Sequence, residues 1–194
     1  RPPSLERKVS LQDVIDYIRT HQDESVEDLR TLLRQPSISA QKVGLEPCAK
    51  LLRDLMVDDG ITDTQILPTN GGPEVVVAKI TNPEATKTLL CYGHYDVQPP
   101  EPVEKWHSDP FGAEIKDGII YARGATDNKS GCMAFIKAAK AYLDTRGAPP
   151  VNLTFLFEGE EEIGSPHLED FVFKYKDLLQ CDASIGLDGG VNRT

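Results

Sequence analysis

Apolar residues recur along this chain with two periods, helical and alternating, and stretches of the two kinds succeed one another. Leu11, Val14, Ile15 and Ile18 hold one helical face behind Ser10, a side chain suited to cap a helix N-terminus. Val26, Leu29, Leu32 and Leu33 repeat that spacing and stop before Pro36. Cys48, Leu51, Leu52 and Leu55 form a third stripe that ends by Gly60. Beyond it, residues 64–67 and 74–80 predict strands on either side of the turn Asn70-Gly71-Gly72-Pro73, and residues 88–92 predict another, short and apolar, closed off by Pro99-Pro100. Residues 113–116 and 119–122 flank Asp117-Gly118, a hairpin signal. Cys132, Phe135, Ile136, Ala139 and Leu143 make a fourth helical stripe, ended by Gly147 and Pro149-Pro150. A strand over 151–157, a helix over 167–179 and a strand over 183–187 complete the pattern.

Helices alternating with apolar strands predict an α/β fold, a mixed and largely parallel sheet with helices on both faces, in one unit spanning 1–194. The composition fits one real core, with 39% hydrophobic residues in 194. Acids outnumber bases 31 to 21 for a net charge of −10, which argues against nucleic acid or an anionic membrane as partner. No apolar run reaches membrane-spanning length and no signal peptide opens the chain, although Arg1 in place of Met leaves room for a trimmed start. Cys48, Cys91, Cys132 and Cys181 are widely spaced with no Cys-x-x-Cys pair, the usage of a reducing, cytoplasmic compartment.

The candidate chemistry collects where strands end. His94 and Asp96, two residues apart at the end of the 88–92 strand, share a face. Such a pair can bind one metal, supply one ligand and the carboxylate that orients it, or simply stiffen a loop. Acids follow the next strands, at 158–162 and at Asp188, and Asp127 lies in the loop that opens a helix. In sheets of this kind ligands bind beyond the carboxyl ends of the strands. A string of carboxylates just past a buried strand is costly unless a cation sits there. Imidazole and carboxylates without thiolate suit zinc and, less specifically, manganese or cobalt, and two such ions sharing a carboxylate form a hydrolytic site. The plain alternatives are a solvated acidic loop for 158–162, an N-cap for Asp127 and an ordinary turn for Asp188.

Three strings sharpen this. Gly93-His-Tyr-Asp-Val-Gln-Pro99, Tyr121-Ala-Arg-Gly-Ala-Thr-Asp-Asn-Lys-Ser-Gly131 and Phe157-Glu-Gly-Glu-Glu-Glu-Ile-Gly-Ser165 resemble the signature blocks of the co-catalytic zinc exopeptidases. That family includes carnosinases, cytosolic nonspecific dipeptidases, aminoacylases, acetylornithine deacetylases and succinyl-diaminopimelate desuccinylases, and the form of the blocks is closest to its dipeptidase branch. The resemblance implies two divalent ions, zinc or else manganese or cobalt, held by His94 and Asp188 on the first, Glu162 on the second and Asp127 bridging both. It implies Asp96 as the carboxylate behind His94 and Glu161 as general base, with a shift of one residue making Glu160 the base instead. It implies a cis peptide at Asp127-Asn128 and, as substrate, a small peptide or an N-acyl amino acid. A non-catalytic module that binds metal or a partner is the rival outside enzymes, and the base beside a ligand speaks for the enzyme.

One part of the family's pattern is missing from 1–194: a lid or dimerisation domain and a last zinc-ligating histidine, for which His21, His107 and His167 are poorly placed. The chain thus reads as the N-terminal part of a catalytic domain, of a protein that homodimerises through a domain not present here. By itself it is expected to hold at most one tight ion, since the second would keep only Asp127 and Glu162, and to hydrolyse dipeptides poorly.

Overall fold

The structure, a computed structural model, describes residues 10–189. Residues 1–9 and 190–194 of the expected unit lie outside the described residues. Helix α1 (Leu11–Thr20) starts where Ser10 predicts, with a reciprocal cap: Ser10 Oγ accepts from the Asp13 N–H at 3.3 Å, and the Asp13 carboxylate accepts from the Ser10 N–H at 2.6 Å. Helices α2 (Gln22–Arg34), α3 (Leu45–Asp58) and α4 (Lys129–Arg146) follow the three further stripes.

The main sheet holds β1 (Asp63–Leu67), β2 (Val75–Ile80), β3 (Thr88–His94), β6 (Asn152–Glu158) and β7 (Ala183–Gly186), in the order β1-β2-β6-β3-β7. β3 runs parallel to both β6 and β7, while β2 is antiparallel to β1 and β6. Four of the five strands therefore point one way and β2 alone points the other. The hairpin of β4 (Glu114–Lys116) and β5 (Ile119–Tyr121) stands apart, turning through Asp117 and Gly118 at φ 52° and 77°.

Both faces of the central strands are covered, while the edge strand β7 is exposed along its length. On one, Leu32, Cys48, Leu52, Met56 and Ile136 from α2, α3 and α4 pack on Val76, Ala78, Cys91, Phe155 and Phe157. On the other, Phe171 of α5 (Leu168–Lys174) and Leu179 meet Val75, Val77 and Leu156. Each fully buried side chain of this size contributes about 1.5–3 kcal/mol, so the alternation of Val75 to Ala78 between two cores fixes the register of β2. Among the helices, Lys137 of α4 pairs with Asp28 and Asp59, and Lys140 with Asp59 and Asp144. No helix of the described residues is long and apolar enough to cross a membrane.

Two boundaries differ from the expectation by more than one residue. β3 runs on to His94, because its ladder with β6 continues through Gly93 and His94, opposite Phe157 and Glu158. Gly93 makes this possible: a Cβ there would lie 2.8 Å from Cys132 Sγ and 2.9 Å from Asn128 Oδ1. The helix expected over 167–179 ends at Lys174, after which hydrogen bonds from the Leu178 and Leu179 amides to the Tyr175 carbonyl form turns.

Candidate metal centre

The topology sets the carboxyl ends of β6, β3 and β7 side by side, and the loop before α4 closes over them. His94 ends β3 level with Glu158 at the end of β6, and the Tyr95 N–H continues the ladder to the Glu158 carbonyl at 2.8 Å. Gly159 follows because the Tyr95 ring lies against it, with Tyr95 Oη 2.3 Å from where a Cβ would be. The chain then enters a 3-10 turn, Glu161–Ile163.

His94 is 0% exposed. Its Nδ1 faces Asp96, 3.1 Å from the carbonyl and 3.3 Å from Oδ1. Its Nε2 is buried without a hydrogen-bond partner, yet it is ringed by carboxylate oxygens of Asp127 at 3.1 Å, Asp188 at 3.4 Å and Glu161 at 3.7 Å. Burial alone would push this imidazole down. The hydrogen bond and charge of Asp96, with the charge of Glu161, outweigh it and hold the group at about 9. The site therefore lacks a positive charge, and a proton or a cation at Nε2 supplies it. His94, Asp127 and Asp188 can each direct a ligand atom to one point, a donor set of imidazole and carboxylates that fits a divalent cation.

Asp96 does more than face the imidazole. Its buried carboxylate also accepts the N–H groups of Glu161 at Oδ1 and of Glu162 at Oδ2, both at 3.1 Å. One side chain thereby holds both the histidine and the turn that carries the acids. The three acids of that turn diverge. Glu161 turns toward His94; burial first, then the carboxylates of Asp188, Glu162 and Asp96, push it up against the opposing pull of His94. Glu162 stands outside the three-residue group, its Oε2 accepting from Gln98 Nε2 at 2.8 Å. Glu160 faces the other way, buried, and accepts from the His167 N–H at 2.6 Å and from the His167 ring.

Asp127 precedes a cis peptide to Asn128, the isomer that the resemblance implies. Asn128 Nδ2 donates to the Leu187 carbonyl at 2.7 Å and so sets the residue before Asp188. Gln98 has no role in the sequence reading, and Asn128 only its share in the cis peptide, although each stands inside a quoted string. Their side-chain partners come from distant segments, which no local spacing reveals. The same holds for Glu158, whose Oε1 accepts from Tyr92 Oη at 2.6 Å and Ser165 Oγ at 2.8 Å while Oε2 stays buried and unpartnered. His21 and His107 lie away from this group: the His21 ring stacks on Tyr17, and His107 lines a separate cavity of about 300 Å³ beside Trp106.

Comparison with known proteins adds three findings. The profile of peptidase family M20/M25/M40 matches residues 90–191. The human Beta-Ala-His dipeptidase is 37% identical over 193 residues, covering 91% of this chain and 36% of that protein. The Cys-Gly metallodipeptidase DUG1 of Candida albicans is 32% identical, covering 86% and 38%. Among solved structures, an M20 family metallo-carboxypeptidase from Sulfolobus solfataricus superposes with a TM-score of 0.82 at 42% identity, over 87% of this chain and 38% of that one. Human carnosine dipeptidase 1 superposes with 0.83 at 33% identity, over 92% and 41%. The chain thus spans little more than a third of the length of the curated relatives it matches.

Proposed function

This chain belongs to peptidase family M20/M25/M40, and from that premise we propose that it carries the metal-binding part of a hydrolase that cleaves the amide bond of dipeptides or short peptides. The observation that carries the reading is the buried, unpartnered Nε2 of His94 inside a ring of carboxylates. Metallopeptidases of this family use divalent metal ions, and we assign two, zinc before manganese or cobalt. His94 and Asp188 would hold the first, Glu162 the second, and Asp127 would lie between them. Gathering of His94, Asp127 and Asp188 around one point supports the first of these positions. The relatives, a Beta-Ala-His dipeptidase and a Cys-Gly metallodipeptidase, favour dipeptides over N-acyl amino acids as substrates.

Bound there, the ions would supply Lewis acidity to a substrate carbonyl and to a water. The rest falls to side chains. Asp96 keeps the Nδ1 side of His94 engaged and leaves Nε2 facing the acids that would hold the ion with it. Glu161, its carboxyl pushed up by burial and by the neighbouring acids, takes a proton from the attacking water and returns it to the leaving amine. Residues 1–194 would form the N-terminal portion of a catalytic domain. Dimerisation through a domain outside this chain rests on the family resemblance, and a cytoplasmic setting rests on four unpaired cysteines, three of them buried.

The test is Glu161→Gln in the full-length protein, assayed on a dipeptide panel beside N-acetyl and N-succinyl amino acids. Turnover of dipeptides should fall about 10²–10⁴-fold with metal content by mass spectrometry unchanged. Full activity in the variant would remove Glu161 as base, and a wild-type preference for N-acyl substrates would overturn the substrate class.

A further inference from the structure

Lys129, the first residue of α4, is 0% exposed, and no step of the hydrolysis uses it. Its ammonium donates to the carbonyls of Leu32 at 3.0 Å and Gln35 at 2.6 Å, both at the C-terminal end of α2. The last carbonyls of a helix have no partner within it. A cation placed there satisfies them and meets the negative end of the helix dipole. A buried charge is costly without such partners, so the contact holds both sides together.

Those two sides each lead to the candidate metal centre. Beyond α2, Ser37 Oγ donates to the Tyr95 carbonyl at 2.6 Å, the Val97 N–H donates to the Ser37 carbonyl at 2.9 Å, and Ile38 forms a parallel bridge with Val97. The end of α2 thus grips the segment between His94 and Gln98. On the other side, the Lys129 N–H donates to the Gly124 carbonyl at 3.1 Å and closes the loop that contains Asp127. A single side chain spans from the Asp127 loop to the clamp on the His94 segment. A Gly124 Cβ would meet Val97 Cγ1 at 2.6 Å, so the loop and that segment are also in close contact.

We propose that Lys129 is a positioning residue: its bridge to the end of α2 sets the Asp127 carboxylate against His94 Nε2 and thereby sets the cation affinity of the site without touching the ion. Methionine of similar length would fill the space but leave the Leu32 and Gln35 carbonyls unsatisfied and the two segments free to part. Arginine keeps the charge and donors.

The inference rests on the metal-site reading above, and cobalt separates the two. In the full-length protein, Co²⁺ affinity by calorimetry and the visible absorption of bound Co²⁺ are measured for wild type, Lys129→Met, Lys129→Arg and Ser37→Ala. Lys129→Met should bind Co²⁺ about 10–100-fold more weakly, the range for residues behind a ligand, with an altered absorption band. Lys129→Arg should recover part of the affinity. Ser37→Ala, at the far end of the bridge, should weaken binding in the same direction by less, and it carries the test if Lys129→Met fails to fold. Folded variants with wild-type affinity and spectrum would reduce Lys129 to a packing role and overturn the inference. A wild type that binds no Co²⁺ would overturn the metal-site reading and this inference with it.

Discussion

At the end where β3, β6 and β7 begin, the polar groups answer one another. Lys87 Nζ lies 2.6 Å from Asp182 Oδ1, the Thr88 N–H donates to Asp182 Oδ2 at 2.9 Å, and Asn152 Oδ1 accepts from the Asn82 N–H at 2.8 Å. At the end where the same strands finish, His94 Nε2 and Glu158 Oε2 are buried without partners, and Asp127, Asp188 and Glu161 crowd together. The first end is completed by this chain's own donors. The second is short of positive charge, which the proposed cation would supply.

Removing one acid from the crowded end tests this contrast most strongly. Asp188→Asn should weaken cation binding about 10–100-fold by calorimetry. Wild-type affinity in the variant would mean that the crowded acids do not serve a cation.

Protons should compete for the same place. His94 is held at about 9 against an ordinary 6.5, so a cation must displace a proton at neutral pH. Apparent affinity should climb about tenfold per pH unit up to about 9. The sign for stability is opposite: a raised value gives the metal-free fold a contribution that is full below about 6.5 and lost as pH rises through about 9. Thermal midpoints of metal-free and metal-loaded protein across this range would show the first falling and the gap widening.

The smallest effect belongs to the matched end. The Lys87 hydrogen bond, with that of the Thr88 amide, holds the Asp182 carboxyl below its ordinary range. Asp182→Asn should lower the denaturation midpoint slightly at neutral pH and leave cation affinity unchanged. Because the wild-type carboxyl is depressed, its advantage is present above about 3.9 and lost as pH falls toward the lower folded value. Denaturant melts at pH 7 and in acid would then converge. A change in cation affinity would join the two ends that the structure keeps apart.

Much of this was legible in the sequence, for reasons that differ by residue. The helical stripe from Cys132 to Leu143 and the alternation from Val75 to Ile80 are local patterns, and the structure forms a helix and a strand over them. His94, Asp127, Glu161 and Asp188 stand out as acids and an imidazole beside strand ends, and the chain order of the three strings matches a known family. Strand order was not legible. That β6 lies between β2 and β3, and that β2 alone runs backwards, depends on contacts among residues up to about eighty apart in sequence, which no window of apolar residues encodes. Glu160, Glu161 and Glu162 are alike in residue type, and only the register of the family strings gives Glu161 and Glu162 their roles, with Glu160 the base if that register shifts by one. Their divergence toward His167, His94 and Gln98 arises from a 3-10 turn whose amides are tied to Asp96, 65 and 66 residues earlier.

That tie has a mechanical corollary. With the imidazole on one side of its carboxylate and two amides on the other, Asp96 makes the histidine and the acidic turn a single moving part, so a displacement of either is transmitted to its counterpart. Transplanting this arrangement to another scaffold would require carrying over both backbone segments at their mutual spacing, since the side chains alone would arrive without the linkage that aligns them.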